Sequence, residues 1–153
     1  MNREPFKTFT SLIAKINRNI RRLKTEVMAE YDLKCPHVSV LYYLYTDGPL
    51  TAKQLCDVCE EDKGAISRTV ESLEEHGFIE NSSKTKKYKS PLKLTTRGKE
   101  VGAKVSCKLD EVILAVSSGL TDELRNNLYN GLRLILTNME KITIPSEKAN
   151  KEN

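Results

Sequence analysis

Apolar positions in the first long segment recur at alternating intervals of three and four residues, the spacing of a heptad seam. The seam comprises Phe6, Phe9, Ile13, Ile16, Ile20, Leu23 and Val27. No glycine or proline interrupts the segment up to Leu33, so the pattern predicts one helix about 40 Å long. A small globule covers less than that length, which favours packing against a second copy. A long core helix within one subunit is the alternative.

Shorter elements follow a break that we predict at Cys35-Pro36. The apolar run HVSVLYYLY predicts a short helix that the turn DGP closes. Thr51 and Gln54 have the spacing of a capping box, which predicts the start of the next helix. The polar turn CEEDKG then leads to the fourth helix of the chain, for which Asp62 is the expected N-cap.

This fourth helix has one apolar face and a clear end. Its inward positions are Ile66, Val70 and Leu73, and Gly77 is its expected end. The strand-like pieces FIE and LKL on either side of a basic loop predict a hairpin. Two short helices, a tight polar turn and a basic hairpin together predict a winged helix-turn-helix.

Two long helices complete the pattern. Thr95 or Thr96 begins one that ends before Gly119, and Thr121 begins the other. The apolar positions of the last helix are Leu124, Leu128, Leu132, Ile135, Met139 and Ile142. The fold class is therefore predicted as mainly α (α+β), a winged helix-turn-helix with a two-stranded β-hairpin wing between long N- and C-terminal helices.

Charge changes the interpretation of the hairpin. The chain has a net charge of +4, yet residues 81–99 carry seven positive charges and no acidic residue, so the remainder has the difference, −3. A loop this basic is stabilised by a polyanion. We expect wing contacts to DNA backbone or minor groove from Lys84, Lys86, Lys87, Tyr88 and Lys89. A solubilising loop that protects the hairpin edge is the alternative.

The start of the fourth helix offers side chains suited to reading DNA. Gly64 and Ala65 allow close approach, Arg68 can bond a guanine edge bidentately, and hydroxyls beside it can bond phosphate or bases. The predicted contact residues are Lys63, Gly64, Ala65, Ser67, Arg68 and Thr69. The alternative is an ordinary solvated face on which Arg68 pairs with Glu71.

The runs LTAKQLCDVCEEDKGAISRTVESLEEHGFIE and LKLTTRGKEV resemble the DNA-binding domain of the MarR family, the multiple-antibiotic-resistance regulators. The second contains an element similar to the family's L-T-x-x-G signature. The resemblance implies a homodimer clasped by its terminal helices, which binds pseudo-palindromic operators as a repressor or, less often, an activator. Two departures stand out: the wing has no arginine, and Gly64 replaces the usual Ser or Thr.

With this resemblance, four segments are predicted. They are an N-terminal dimerisation helix (1–34), a winged helix-turn-helix domain (35–100), C-terminal dimerisation helices (101–144) and a disordered tail (145–153). The predicted dimerisation residues are Phe6, Phe9, Ile13, Ile16, Leu132, Ile135 and Met139.

The resemblance also implies control by a small aromatic or phenolic effector. The candidate pocket residues are His37, Tyr42, Tyr43 and Tyr45, with an ordinary core role as the alternative. Thiol or metal sensing is a second route, for which Cys35, His37, Cys107 and Glu111 are the candidates, because thiolate, imidazole and carboxylate suit zinc. No cofactor is expected, and four cysteines are too few for a disulfide framework.

Other functional classes fit less well. The chain has no phosphate-binding glycine loop and no HExxH motif, so we do not expect an enzyme. It has no apolar run of bilayer length and no signal-peptide core at its start, so we expect a cytoplasmic protein. The competing interpretation is a winged-helix module that docks an acidic protein or RNA.

Overall fold

The computed structural model describes residues 4–81 and 90–142. Within them the elements are α1 (Glu4–Val27), a 3-10 turn (Ala29–Tyr31), α2 (Cys35–Thr46), α3 (Ala52–Cys59), α4 (Lys63–Glu75), β1 (Ile79–Asn81), β2 (Leu92–Leu94), α5 (Thr96–Val116) and α6 (Asp122–Glu140). The predicted fold class, a winged helix-turn-helix with a two-stranded hairpin, is confirmed. The tail from residue 145 lies outside the described residues.

The first helix is shorter than the heptad pattern predicts, because it ends at Val27 rather than near Leu33. Met28 and Leu33 are both buried in the core. On one continuous helix these two side chains would point about 140° apart. The 3-10 turn and the left-handed backbone of Asp32, with φ 54°, allow both to face the same core.

The predicted break at Cys35-Pro36 is wrong, since both residues form the first turn of α2. A proline is tolerated there because the first N–H groups of a helix have no intrahelical acceptor. The imidazole Nδ1 of His37 accepts a hydrogen bond from the Lys34 backbone N–H at 3.2 Å, which satisfies the backbone where the helix begins.

Capping hydrogen bonds confirm the predicted helix starts. Thr51, Asp62 and Thr121 each accept a hydrogen bond from the backbone N–H three residues later. Between the two candidates for the start of α5, the hydroxyl of Thr95 rather than Thr96 takes this role, at 3.0 Å from the Gly98 nitrogen. Short polar side chains at these positions satisfy N–H groups that a helix leaves open.

A third backbone segment pairs with the hairpin, which the sequence patterns did not predict. Strands β1 and β2 pair antiparallel, with Ile79 opposite Leu94. Leu50, before α3, exchanges two backbone hydrogen bonds with Leu92, at 3.1 and 2.8 Å. The base of the wing is therefore joined to the loop between α2 and α3.

Contacts divide the chain into two compact units, Met1–Ile113 and Leu114–Asn153. The buried core lies in the first unit, and no described side chain of the second is buried. This division does not test the predicted functional segments with boundaries after residues 34, 100 and 144, which stay a prediction. Over the described ranges, no helix combines the length and apolar character needed to span a bilayer.

Candidate nucleic-acid interface

Helix α4 presents its faces as the sequence pattern predicts. Ile66 and Leu73 are buried, and Val70 packs against the core. Gly64 and Arg68 lie on the exposed side. Helical periodicity thus separates an inward stripe, which holds α4 on the lobe, from an outward stripe that is open to a partner.

The N-terminal turn of α4 brings two side chains close to Gly64. The Asp62 carboxylate caps the helix by accepting a hydrogen bond from the Ala65 N–H at 2.8 Å. A Cβ on Gly64 would lie 3.2 Å from an Asp62 oxygen and 3.4 Å from Nη1 of Arg68. A side chain at position 64 would therefore contact both the capping carboxylate and the Arg68 guanidinium, which lies over this turn.

Arg68 is not neutralised by its neighbour on the helix. The carboxylate of Glu71 accepts a hydrogen bond from the Ser67 hydroxyl at 3.4 Å. Glu71 also lines a small cleft of about 100 Å³ with Glu74 and Asn81, beside the base of the wing. Among residues 4–81 and 90–142, no side chain forms an ion pair with Arg68. The alternative of an Arg68–Glu71 pair is thus contradicted.

Thr69 does not belong to this contact surface, so its prediction as a contact residue is wrong. Its side chain is buried, and its hydroxyl donates to the Ala65 carbonyl at 2.9 Å. Position 69 follows Ile66 by three residues and precedes Leu73 by four, which places it on the inward stripe. Applying the helical period to every position of α4 would have found this burial.

The wing can be described only at its base. The predicted contacts Lys84, Lys86, Lys87, Tyr88 and Lys89 lie outside the described residues. At the base, Lys93 pairs across the hairpin with Glu80 at 3.2 Å, so one of the stretch's seven positive charges is balanced.

The predicted dimerisation residues carry exposed apolar surface. On α1, the exposed fractions are 36% for Phe9, 40% for Ile13 and 54% for Ile16. On α6, Ile135 and Met139 are exposed and Leu132 is half-buried. The side chain of Phe6 lies outside the described part of the chain. A sustained apolar stripe in contact with water is unusual on a monomer.

The predicted effector residues are spread along α2 rather than gathered in one pocket. His37 lies in the first turn and Tyr45 in the last, about 12 Å away along the axis. Tyr42 and Tyr43 pack edge to face at 5.5 Å, and burial is the main cause of a raised pKa for Tyr43. Tyr45 lines a cleft that has a volume of about 340 Å³ and is also lined by Pro49, Lys93 and Lys99.

The candidate metal residues do not converge. Cys35 and His37 begin α2, while Cys107 lies on α5 with its Sγ 3.8 Å from Glu111. Within the part of the chain that the structure describes, no three His, Cys, Asp or Glu side chains are placed to hold a metal ion. Burial raises the pKa of Cys59 to about 11, so this thiol stays protonated and is a poor nucleophile.

Comparison with known proteins agrees with this geometry. The model of the MarR family matches residues 31–87, which include α2, α3, α4, β1 and most of the basic loop. Over these residues the chain is similar to the MarR family. The match agrees with the expectation of a winged helix-turn-helix transcriptional regulator, since MarR is a family of DNA-binding regulators rather than of enzymes.

Proteins similar to this chain include two curated transcriptional regulators and many solved structures. It is 27% identical to YwoH, an uncharacterized HTH-type transcriptional regulator of Bacillus subtilis, over 68% of this chain and 80% of YwoH. Its fold matches the Staphylococcus aureus MepR–DNA complex with a TM-score of 0.75 at 18% identity, covering 86% of this chain and 96% of MepR.

A second solved structure is that of Staphylococcus aureus MarR in complex with salicylate and kanamycin. The TM-score is 0.78 at 17% identity, and the match covers 92% of this chain and 96% of that protein. At these identities, the two structural likenesses establish a shared fold.

Proposed function

We propose that this protein is a MarR-type regulator that binds duplex DNA sequence-specifically as a homodimer at a pseudo-palindromic operator. The observation that carries the proposal is the exposed N-terminal turn of α4, where Arg68 has no ion-pair partner among the described residues. MepR, which shares the fold, was solved with DNA. The protein works in the cytoplasm as a repressor that a small-molecule effector releases.

Arg68 is the proposed reader of sequence. Its guanidinium offers the two parallel donors that match the O6 and N7 acceptors of guanine. Ser67 and the small residues Gly64 and Ala65 allow the turn to enter the major groove, and Lys63 contributes charge beside it. The exposed carboxylates of Glu71 and Glu75 would meet phosphates with like charge, so only the first half of α4 enters.

The wing lysines are the proposed anchor. Lysine is a compact point charge that attracts phosphate without the planar fork that arginine presents. Lys84, Lys86, Lys87 and Lys89 therefore supply affinity that depends on salt and little on sequence. Tyr88, in the middle of the lysine run, is the proposed aromatic contact of the same loop.

The proposed effector site is the cleft at the end of α2. Tyr45 is 43% exposed and forms an apolar wall together with Pro49, and Lys99 supplies a positive charge at the rim. A volume of about 340 Å³ suits a small aromatic molecule. The fold relative from Staphylococcus aureus was solved with salicylate, which is such a molecule.

The experiment distinguishes base recognition by Arg68 from phosphate contacts by the wing lysines. Operators are first selected from a random duplex pool, and the affinity of each variant is then measured across single-base changes and salt concentrations. Arg68→Ala is expected to relax preference at one base pair in each half-site, worth about 1–3 kcal/mol. Substituting the four wing lysines with alanine is expected to weaken all duplexes and reduce the salt slope by about one unit per lost phosphate contact.

Lys141→Ala, at the end of α6, is the matched control and is expected to leave both properties unchanged. Loss of affinity without any change of base preference in Arg68→Ala would show that the reader has been assigned wrongly. Absence of selected duplexes with the wild-type protein would contradict DNA binding itself.

A further inference from the structure

Two lysines of α5, one helical turn apart, reach the junction between α1 and α2. The ammonium of Lys108 donates to the Val27 carbonyl at 3.1 Å and to a Glu30 carboxylate oxygen at 2.8 Å. The ammonium of Lys104 donates to the Tyr31 hydroxyl at 2.6 Å. We call these five residues the α5 clamp. It joins parts of the chain that lie more than seventy residues apart in sequence.

The contacts of Lys108 have a clear electrostatic basis. Val27 is the last residue of α1, where carbonyl groups lack intrahelical donors and the helix dipole favours a cation. The hydrogen bond from Lys108 is the main cause of a lowered pKa for Glu30, followed by the charge of the same lysine. Glu30 is therefore ionised at neutral pH, and one ammonium holds both the end of α1 and the turn that follows it.

Lys104 completes the clamp from the preceding turn of α5. Its Nζ lies 5.3 Å from the centre of the Tyr31 ring, but the 2.6 Å bond to the hydroxyl places it at the edge of the ring rather than over its face. This hydrogen bond is the main cause of a raised pKa for Lys104. The contact is a charge-assisted hydrogen bond that fixes where Tyr31 sits against α5.

The same helix also holds the far end of α4. Arg97, in the first turn of α5, donates to the His76 carbonyl at 3.1 Å, just after α4 ends. Arg97 and Lys108 are eleven residues apart, about 16 Å along the helix axis. Through these hydrogen bonds, helix α5 fixes the position of the end of α4 relative to the end of α1.

We propose that Lys108 is a positioning residue that sets which half-site spacing the dimer accepts. The inference rests on the proposed function, because the exposed seam of α1 is taken as the dimer contact. Helix α1 has 24 residues and is about 36 Å long, so a change of about 5° at the clamp moves its far end by about 3 Å. That displacement is close to the rise of one base pair, about 3.4 Å.

The experiment measures affinity for a series of duplexes that carry the selected half-sites at the selected spacing, or with one base pair added or removed between them. Wild-type protein is expected to prefer one spacing by about tenfold or more, as for other mismatched sites. In Lys108→Met, which keeps the length of the side chain without its charge, this preference is expected to fall to about threefold or less. Lys108→Arg is expected to recover most of it.

Two further variants separate positioning from folding. Glu30→Gln removes the ion pair from the exposed side and is expected to lower the spacing preference with little change in thermal unfolding. Asp110→Asn, at an exposed position on the same helix and outside the clamp, is expected to keep the full preference.

The outcomes separate the clamp from the proposed function. If wild-type protein discriminates spacing and both Lys108→Met and Glu30→Gln discriminate equally well, the clamp inference is overturned and DNA binding stands. An equal loss in Asp110→Asn would also overturn it. If wild-type protein binds no duplex, or binds all spacings alike, the proposed function and the inference fail together.

Discussion

At the scale of single residues, the junction of α4 with α5 depends on one position without a side chain. A Cβ on Gly98 would lie 1.8 Å from the Phe78 carbonyl oxygen, a backbone atom that cannot shift as easily as the end of a side chain. The Thr95 hydroxyl donates to the Gly77 carbonyl at 2.7 Å and so closes the same junction. The L-T-x-x-G element is thus a packing requirement that joins the reading helix to the wing and to α5.

We therefore expect Gly98→Ala to destabilise the protein by about 1–3 kcal/mol or more, because the backbone at Phe78, just before β1, must shift to accept a methyl group. Urea unfolding followed by circular dichroism measures the change. Gly131→Ala is the control, since a Cβ there meets nothing within 4 Å inside α6. It is expected to raise stability by about 0.5–1 kcal/mol. Equal stability of Gly98→Ala and wild type would contradict the close approach.

At the scale of elements, each helix of the DNA-binding lobe begins with its own satisfied cap. Helix α2 differs from the others because its cap acceptor is an imidazole nitrogen, which loses its lone pair on protonation. The His37 Nδ1 that accepts from the Lys34 N–H must be unprotonated to do so. Burial is the main cause of a lowered pKa for His37, with further lowering from His76 and Lys34 and an opposing effect of Asp32.

This makes the start of α2 sensitive to acid. The folded state holds His37 neutral, whereas the unfolded chain binds a proton near the usual pKa of about 6.5. The stabilisation is therefore fully present above that value and is lost as the pH falls through the lower pKa of the folded state. Unfolding by urea between about pH 7.5 and 5 should show a steeper loss for wild type than for His37→Asn. Parallel pH profiles would contradict this account.

At the scale of the whole molecule, the exposed seam of α1 is the feature that a lone subunit leaves uncovered. Burial begins only at Leu23 and Val27, which are half-buried, while Ile16 and Ile20 remain exposed. A charge placed in an apolar interface costs several kcal/mol unless it is paired. The dimer proposal can therefore be tested with one substitution on the seam and another away from it.

Ile16→Glu is expected to convert the dimer to monomer at micromolar concentration, as light scattering on a sizing column measures. It should also weaken operator binding at least about tenfold, because two linked half-sites become independent. Ser11→Glu adds the same charge on the polar side of α1 and should stay dimeric. A wild-type protein that runs as a monomer, or an Ile16→Glu variant that stays dimeric, would contradict the proposed seam.

The sequence alone determined the features that depend on neighbours three or four residues apart. These include the caps at Thr51, Asp62 and Thr121 and the inward stripe of α4. Each is decided by a local choice between a polar side chain and the backbone, or by helical periodicity. The MarR resemblance followed because its signature residues fill these local roles.

Only the tertiary structure decided the contacts between distant segments. The bridge from Leu50 to Leu92 and the bonds from Lys104 and Lys108 join residues whose sequence neighbours give no sign of the pairing. Helix α1 ends at Val27 because two later side chains must reach one core, and Glu71 turns to Ser67 rather than Arg68. Such outcomes depend on how rigid elements pack in three dimensions, which spacing along one chain does not encode.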